Sequence, residues 1–94
     1  MPAKKGFAQF DLGTVLITKH AFRQICEGDL FSSFIRYSVG DWGELPDQDR
    51  RANEKSLGTG GRLFASYTDR NGRRFWIITE ADRSVTTLLL PEDY

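Results

Sequence analysis

Arg62-Leu63-Phe64-Ala65-Ser66-Tyr67-Thr68, then Asp69-Arg70-Asn71-Gly72, then Arg73-Arg74-Phe75-Trp76-Ile77-Ile78-Thr79 is the stretch that decides the fold. Two runs of aromatic and β-branched residues flank an Asn-Gly pair, the strongest short-range signal for a β-hairpin. With Asn71 and Gly72 as the two loop residues of a type I′ turn, Arg70 faces Arg73, Tyr67 faces Trp76 and Ala65 lies opposite Ile78. Beyond the polar break Glu80-Ala81-Asp82-Arg83-Ser84 comes a third run, Val85-Thr86-Thr87-Leu88-Leu89-Leu90. The reading is a three-stranded antiparallel meander. Its strands are apolar on both faces, with Phe64, Phe75 and Ile77 on one and Tyr67, Trp76 and Ile78 on the other.

Upstream, the first six residues read as a polar, frayed leader. Thr14-Val15-Leu16-Ile17-Thr18 is a short strand whose unbroken apolar run suits a place inside the sheet or cover on both sides. Thr18 suits the N-cap of a first helix that reaches Glu27, with Phe22, Ile25 and Cys26 on one stripe and Gly28 as its left-handed stop. Asp29 then caps a second helix whose apolar face is Leu30, Phe31, Phe34, Ile35 and Val39, ended by Gly40. Gly43 and Pro46 make a loop of the Trp42 region. A third helix over 47–57 has only Ala52 and Leu57 as apolar residues, so it belongs on the surface, and a flexible joint at 58–61 follows. Strand, helices, then strands predict an α+β fold with two or three helices packed on one face of the sheet. The second face is either covered by the leader around Phe7 and Phe10 or left for a partner.

Ninety-four residues, 39% of them hydrophobic, make one domain with a real core. Thirteen basic residues balance thirteen acidic ones, segment by segment, which argues against nucleic acid as a partner. Zero net charge favours self-association, so a homo-oligomer is a possible state. A lone cysteine, Cys26, makes no internal disulfide and reads as a small buried hydrophobe. Without an apolar leader or a membrane-length run, the expected location is the cytoplasm, with no membrane contact.

The residues that could carry chemistry are few. His20 stands alone on the first helix, and one His with one Cys cannot build a zinc site. Asp41, Glu44, Glu80 and Asp82 could gather round a hard cation, but each occupies an ordinary turn or cap position, so no metal and no cofactor is expected. Arg70, Arg73 and Arg74 cluster at the hairpin tip as a solvated end or a phosphate contact. Trp42, in a glycine-flanked loop, is the candidate for an exposed anchor, whereas Trp76 belongs to the core or a sheet face. In the turn after the second strand of the meander, Glu80 can pair with Arg83 and Asp82 can hold backbone amides. The candidate binding residues are therefore Asp41, Trp42, Arg70, Arg73, Trp76, Glu80, Asp82 and Arg83.

Gly40-Asp41-Trp42-Gly43, Gly61-Arg62-Leu63, the run from Trp76 to Ser84 and the final Leu89-Leu90-Pro91-Glu92-Asp93-Tyr94 together resemble a group of small bacterial proteins described only as plasmid-related or hypothetical. The resemblance covers nearly the whole chain. It implies a mobile-element context and supplies no catalytic residues. The expectation is a non-enzymatic interaction or regulatory module with a protein partner. Two alternatives stand beside it. One is a small toxin-type ribonuclease using His20, Tyr67, Arg73 and Arg74; the other is an inhibitor of host defence systems.

Overall fold

The computed structural model describes residues 8–94. In chain order the elements are β1 (Thr14–Ile17), α1 (Lys19–Gln24), α2 (Glu27–Ser38), α3 (Asp47–Thr59), β2 (Leu63–Thr68), β3 (Arg74–Thr79), β4 (Val85–Leu89) and a 3-10 turn at Pro91–Asp93. The fold is α+β, and the meander β2-β3-β4 is antiparallel as expected. β1 adds to it in parallel beside β4, giving the order β1-β4-β3-β2. It is therefore an edge strand, with Thr14, Val15 and Leu16 exposed, not an interior one.

The hairpin register differs from the expected one by a single residue. Tyr67 pairs with Phe75, Ser66 with Trp76 and Ala65 with Ile77. The cause is the turn. Arg83 is the one non-glycine residue with positive φ among those described, so Asn71 does not take the type I′ conformation. Instead the Gly72 amide closes a turn on the Asp69 carbonyl, and Gly72 takes φ 84°. The Asp69 carboxylate accepts the amides of Asn71 and Arg73, and its second oxygen accepts the Cys26 amide. Asp69 thus selects a longer turn with a bulge.

One residue of slip exchanges faces. Leu63, Ala65, Tyr67, Phe75, Ile77, Leu88 and Leu90 all point into the core beneath the helices. Phe64, Trp76 and Ile78 share the other side. Phe10 is half-buried against the core on the helix side, edge-on to Tyr37 at 5.3 Å and stacked near Trp42 at 6.1 Å, so it does not cover the second face. Phe7 lies outside the described residues.

The helices also turn differently from the sequence reading. α1 stops at Gln24, and it is Ala21 and Ile25 that are buried, leaving Phe22 63% exposed. α2 starts at Glu27 with Cys26 at its cap, so Gly28 lies in its first turn and Asp29 is not the cap. Leu30, Ser33 and Tyr37 face inward, and Phe31 and Ile35 face out. A buried Ser33 is tolerable because its hydroxyl donates to the Leu30 carbonyl. Tyr37 is drawn in by a relay. The Thr86 hydroxyl donates to the Leu12 carbonyl, so it accepts from Thr79, which accepts from Tyr37. α3 runs two residues past its expected end, to Thr59, and closes on Gly60. Its inward residue is the polar Asn53, 3% exposed, while Ala52 is exposed.

Candidate docking face

All three helices among the described residues lie on the side of Leu63, Ile77 and Leu88, so no described helix covers the opposite face of the sheet. Strand alternation assigns its residues: Phe64 and Ser66 from β2, Arg74, Trp76 and Ile78 from β3, Thr87 and Leu89 from β4, and Leu16 from β1. Leu16, Thr87, Ile78 and Phe64 form one cross-strand row. On this face Ile78 and Leu89 are each only 6% exposed.

Phe64 and Trp76 meet edge to face at 5.2 Å. Tyr94, carried back by the 3-10 turn, meets Trp76 at 6.0 Å and remains 71% exposed. Between Arg62, Phe64, Trp76, Ile78 and Tyr94 lies a cavity of about 230 Å³. The Arg62 guanidinium lies 5.6 Å from the Tyr94 ring centre and donates to its hydroxyl at 3.1 Å. Arg62 also faces the Glu80 carboxylate at 3.9 Å. At the other end of the face Arg74 donates to Ser66 Oγ and meets Glu44, which accepts from Thr68. The face thus has an apolar aromatic centre, with charged side chains at both ends.

Of the residues singled out in the sequence, Trp76 alone contributes its ring to this centre. Trp42 is 2% exposed, stacked in the core, and its indole N–H donates to Glu54 at 2.9 Å, which leaves it no surface to offer. Asp41 is held by Nε and Nη2 of Arg36 and by the Gly43 amide. The Arg36 hydrogen bond keeps its carboxyl below the usual carboxylate range. Arg70 is clamped bidentately on Asp29, whose carboxyl is lowered by the same contact.

The turn between β3 and β4 is a latch. Arg83, at φ 63°, donates to the carbonyls of Gly61 at 2.6 Å and Ser56 at 3.0 Å, and also to those of Glu80 and Ala81. A guanidinium at the carbonyl end of α3 is favourably placed against the helix dipole. Glu80 pairs with Arg62 rather than with the Arg83 side chain. Asp82 accepts from the Ser84 amide and hydroxyl, as its position in the turn suggested.

The ribonuclease quartet is not assembled. Tyr67 is 2% exposed on the helix side, its hydroxyl donates to the Asp41 carbonyl, and burial pushes its pKa upward. Arg74 is on the opposite face. His20 Nδ1 lies 3.0 Å from Asp93, and Arg73 is paired with the neighbouring Glu92. The 3-10 turn thus draws His20 and Arg73 to one exposed spot, and neither bonds to Tyr67. Among the described residues no cluster of His, Cys, Asp and Glu could hold a metal ion, and no helix is long and apolar enough to cross a membrane.

Arg62, Phe64, Ile78 and Tyr94 were missed in the sequence. Even-numbered positions of β2 and β3 would have revealed Phe64 and Ile78, and Arg62 just before β2 continues the same parity, once the turn is given its correct length. Tyr94 has no such signal, because its position depends on a turn that folds back over the sheet. Compared with known proteins, no family model, curated protein or solved structure matches this chain.

Proposed function

We propose that this chain is a non-enzymatic interaction module, in keeping with the mobile-element context that its sequence suggests, and that it docks a protein partner on the helix-free face of its sheet. One observation carries the reading: the Phe64–Trp76–Tyr94 cavity is of a size to take one large apolar side chain, beside a cationic rim at Arg62. The other conspicuous polar groups support it by elimination, since Asp41, Arg70 and Arg83 are engaged in internal bonds.

The test pairs capture with a surface variant. Wild-type protein and Trp76→Arg are used as baits, the protein retained by the first and lost by the second is identified, and it is then titrated in purified form into isotope-labelled module. Amide shifts confined to β2, β3 and Tyr94 are the expected result. Shifts centred instead on His20 and Arg73, or growth arrest with RNA cleavage on expression, would replace docking with the ribonuclease reading.

A further inference from the structure

The two outer edges of the sheet differ. On β2, Phe64 exchanges both backbone hydrogen bonds with the Asn53 side chain, and Ser66 exchanges both with the loop at Trp42 and Glu44. On β1, nothing among the described residues pairs with the outer edge. Its four-residue length is its one guard: the strand Thr-Val-Leu-Ile has no lysine, proline or bulge, and Val15 and Leu16 are 44% and 49% exposed.

The backbone phase of that edge is fixed. Thr14 and Thr18 amides donate to Ser84 and Leu88 carbonyls of the β4 side. Alternation then turns the N–H and C=O of Val15 and Ile17 outward. Gly13, with φ 65°, and Lys19, the first residue of α1, bound the extended segment. Only one antiparallel two-fold register uses both outward residues and nothing outside the strand. It pairs Val15 with Ile17 of a second copy and Ile17 with Val15, with Leu16 against Leu16 on the axis.

The geometry points to a homodimer in which β1 pairs with β1 of a second copy of this chain, joining two four-stranded sheets into one of eight strands. Four backbone hydrogen bonds form, and the two Leu16 side chains meet on the helix-free face as a non-hydrogen-bonded pair, with Cα atoms about 4.5 Å apart. A second copy is the occupant that supplies the matching phase without further assumption, because the edge is its own complement. The dimer does not depend on the aromatic cavity being a docking site. It would, however, present two such cavities on one continuous face, with the Trp76 residues five strand spacings apart, about 24 Å. So short an edge buries less than the roughly 1,000 Å² of a stable interface, so the association is weak.

Sedimentation of the full chain is expected to rise from monomer to dimer mass between about 10 µM and 1 mM. Val15→Pro removes only an outward amide, and should remain monomeric throughout with an unchanged far-ultraviolet spectrum. In a Cys26→Ser background, Leu16→Cys should cross-link across the axis under mild oxidation, since the Cα separation suits a disulfide. Val15→Cys, facing Ile17 instead of itself, should not. A wild-type chain that stays monomeric at 1 mM overturns the dimer. So does a dimer that Val15→Pro leaves intact, which would place the contact elsewhere, as at exposed Phe22, Phe31 and Ile35. Equal cross-linking of the two cysteine variants would refute the register.

Discussion

The β2 edge and the β1 edge of this sheet are opposite answers to the same physical difficulty. A strand edge presents amides and carbonyls that must find partners or stay wet. At β2 the answer is internal. Asn53, buried on a helix with few apolar residues, offers one donor and one acceptor to Phe64, and Gly43 brings the loop backbone against Ser66. At β1 the groups face outward among exposed apolar side chains. One edge is thus closed within the fold, and the other pairs with nothing among the described residues.

Substitutions at the two edges should therefore differ in cost. The largest effect is expected for Asn53→Ala. Two backbone groups lose their partners at about 1–3 kcal/mol each. Thermal unfolding should show a loss of about 3 kcal/mol, or a fall in Tm of roughly 12–24 °C at this chain length. A loss below 1 kcal/mol would mean that water replaces the amide and that the edge is not sealed.

Gly43→Ala comes next. Gly43 has φ 75°, and an added Cβ would lie 2.0 Å from the Ser66 carbonyl oxygen. The loop must leave the edge, at an expected cost of about 2 kcal/mol from backbone strain and the lost bridge. Faster hydrogen exchange at the Ser66 amide, with that of β4 unchanged, is the specific sign.

Acidification should act on the same loop. The folded-state pKa of Asp41 is depressed, chiefly by its hydrogen bond from Arg36, so the folded protein binds that proton less readily than the unfolded chain. Its stabilising contribution is complete above the ordinary carboxylate pKa of about 4 and is lost as pH falls through that value to the folded one. Ser66 exchange corrected for intrinsic rate should therefore rise below about pH 4. In Asp41→Asn that acid-induced rise should be reduced.

The smallest effect belongs to β1. Val15→Pro, measured on dilute protein, should change stability by less than about 1 kcal/mol, because the lost amide faces water. A large loss there would show that the edge is covered after all and would erase the contrast.

How much of this was legible in the chain depends on the range of the interactions. The meander and the α+β class follow from apolar periodicity and from Gly and Pro positions, which act over a few residues. The register did not follow, although Asn71-Gly72 is a strong local signal. Asp69 overrode it by accepting amides from Asn71 and Arg73 and, 43 residues away in sequence, from Cys26. Arg83 was read as one half of a local pair, yet it reaches the carbonyls of Ser56 and Gly61. Asn53 looked like a surface residue because nothing in its own helix requires it to be buried.

The sequence by itself determined which segments become strands and helices, since backbone preference and side-chain period are properties of neighbouring residues. Tertiary structure alone decided which face of each strand points inward, which edge is sealed and which aromatics share a cavity. Those outcomes turn on single hydrogen bonds between distant residues, and with a period of two, one such bond is enough to reverse a face.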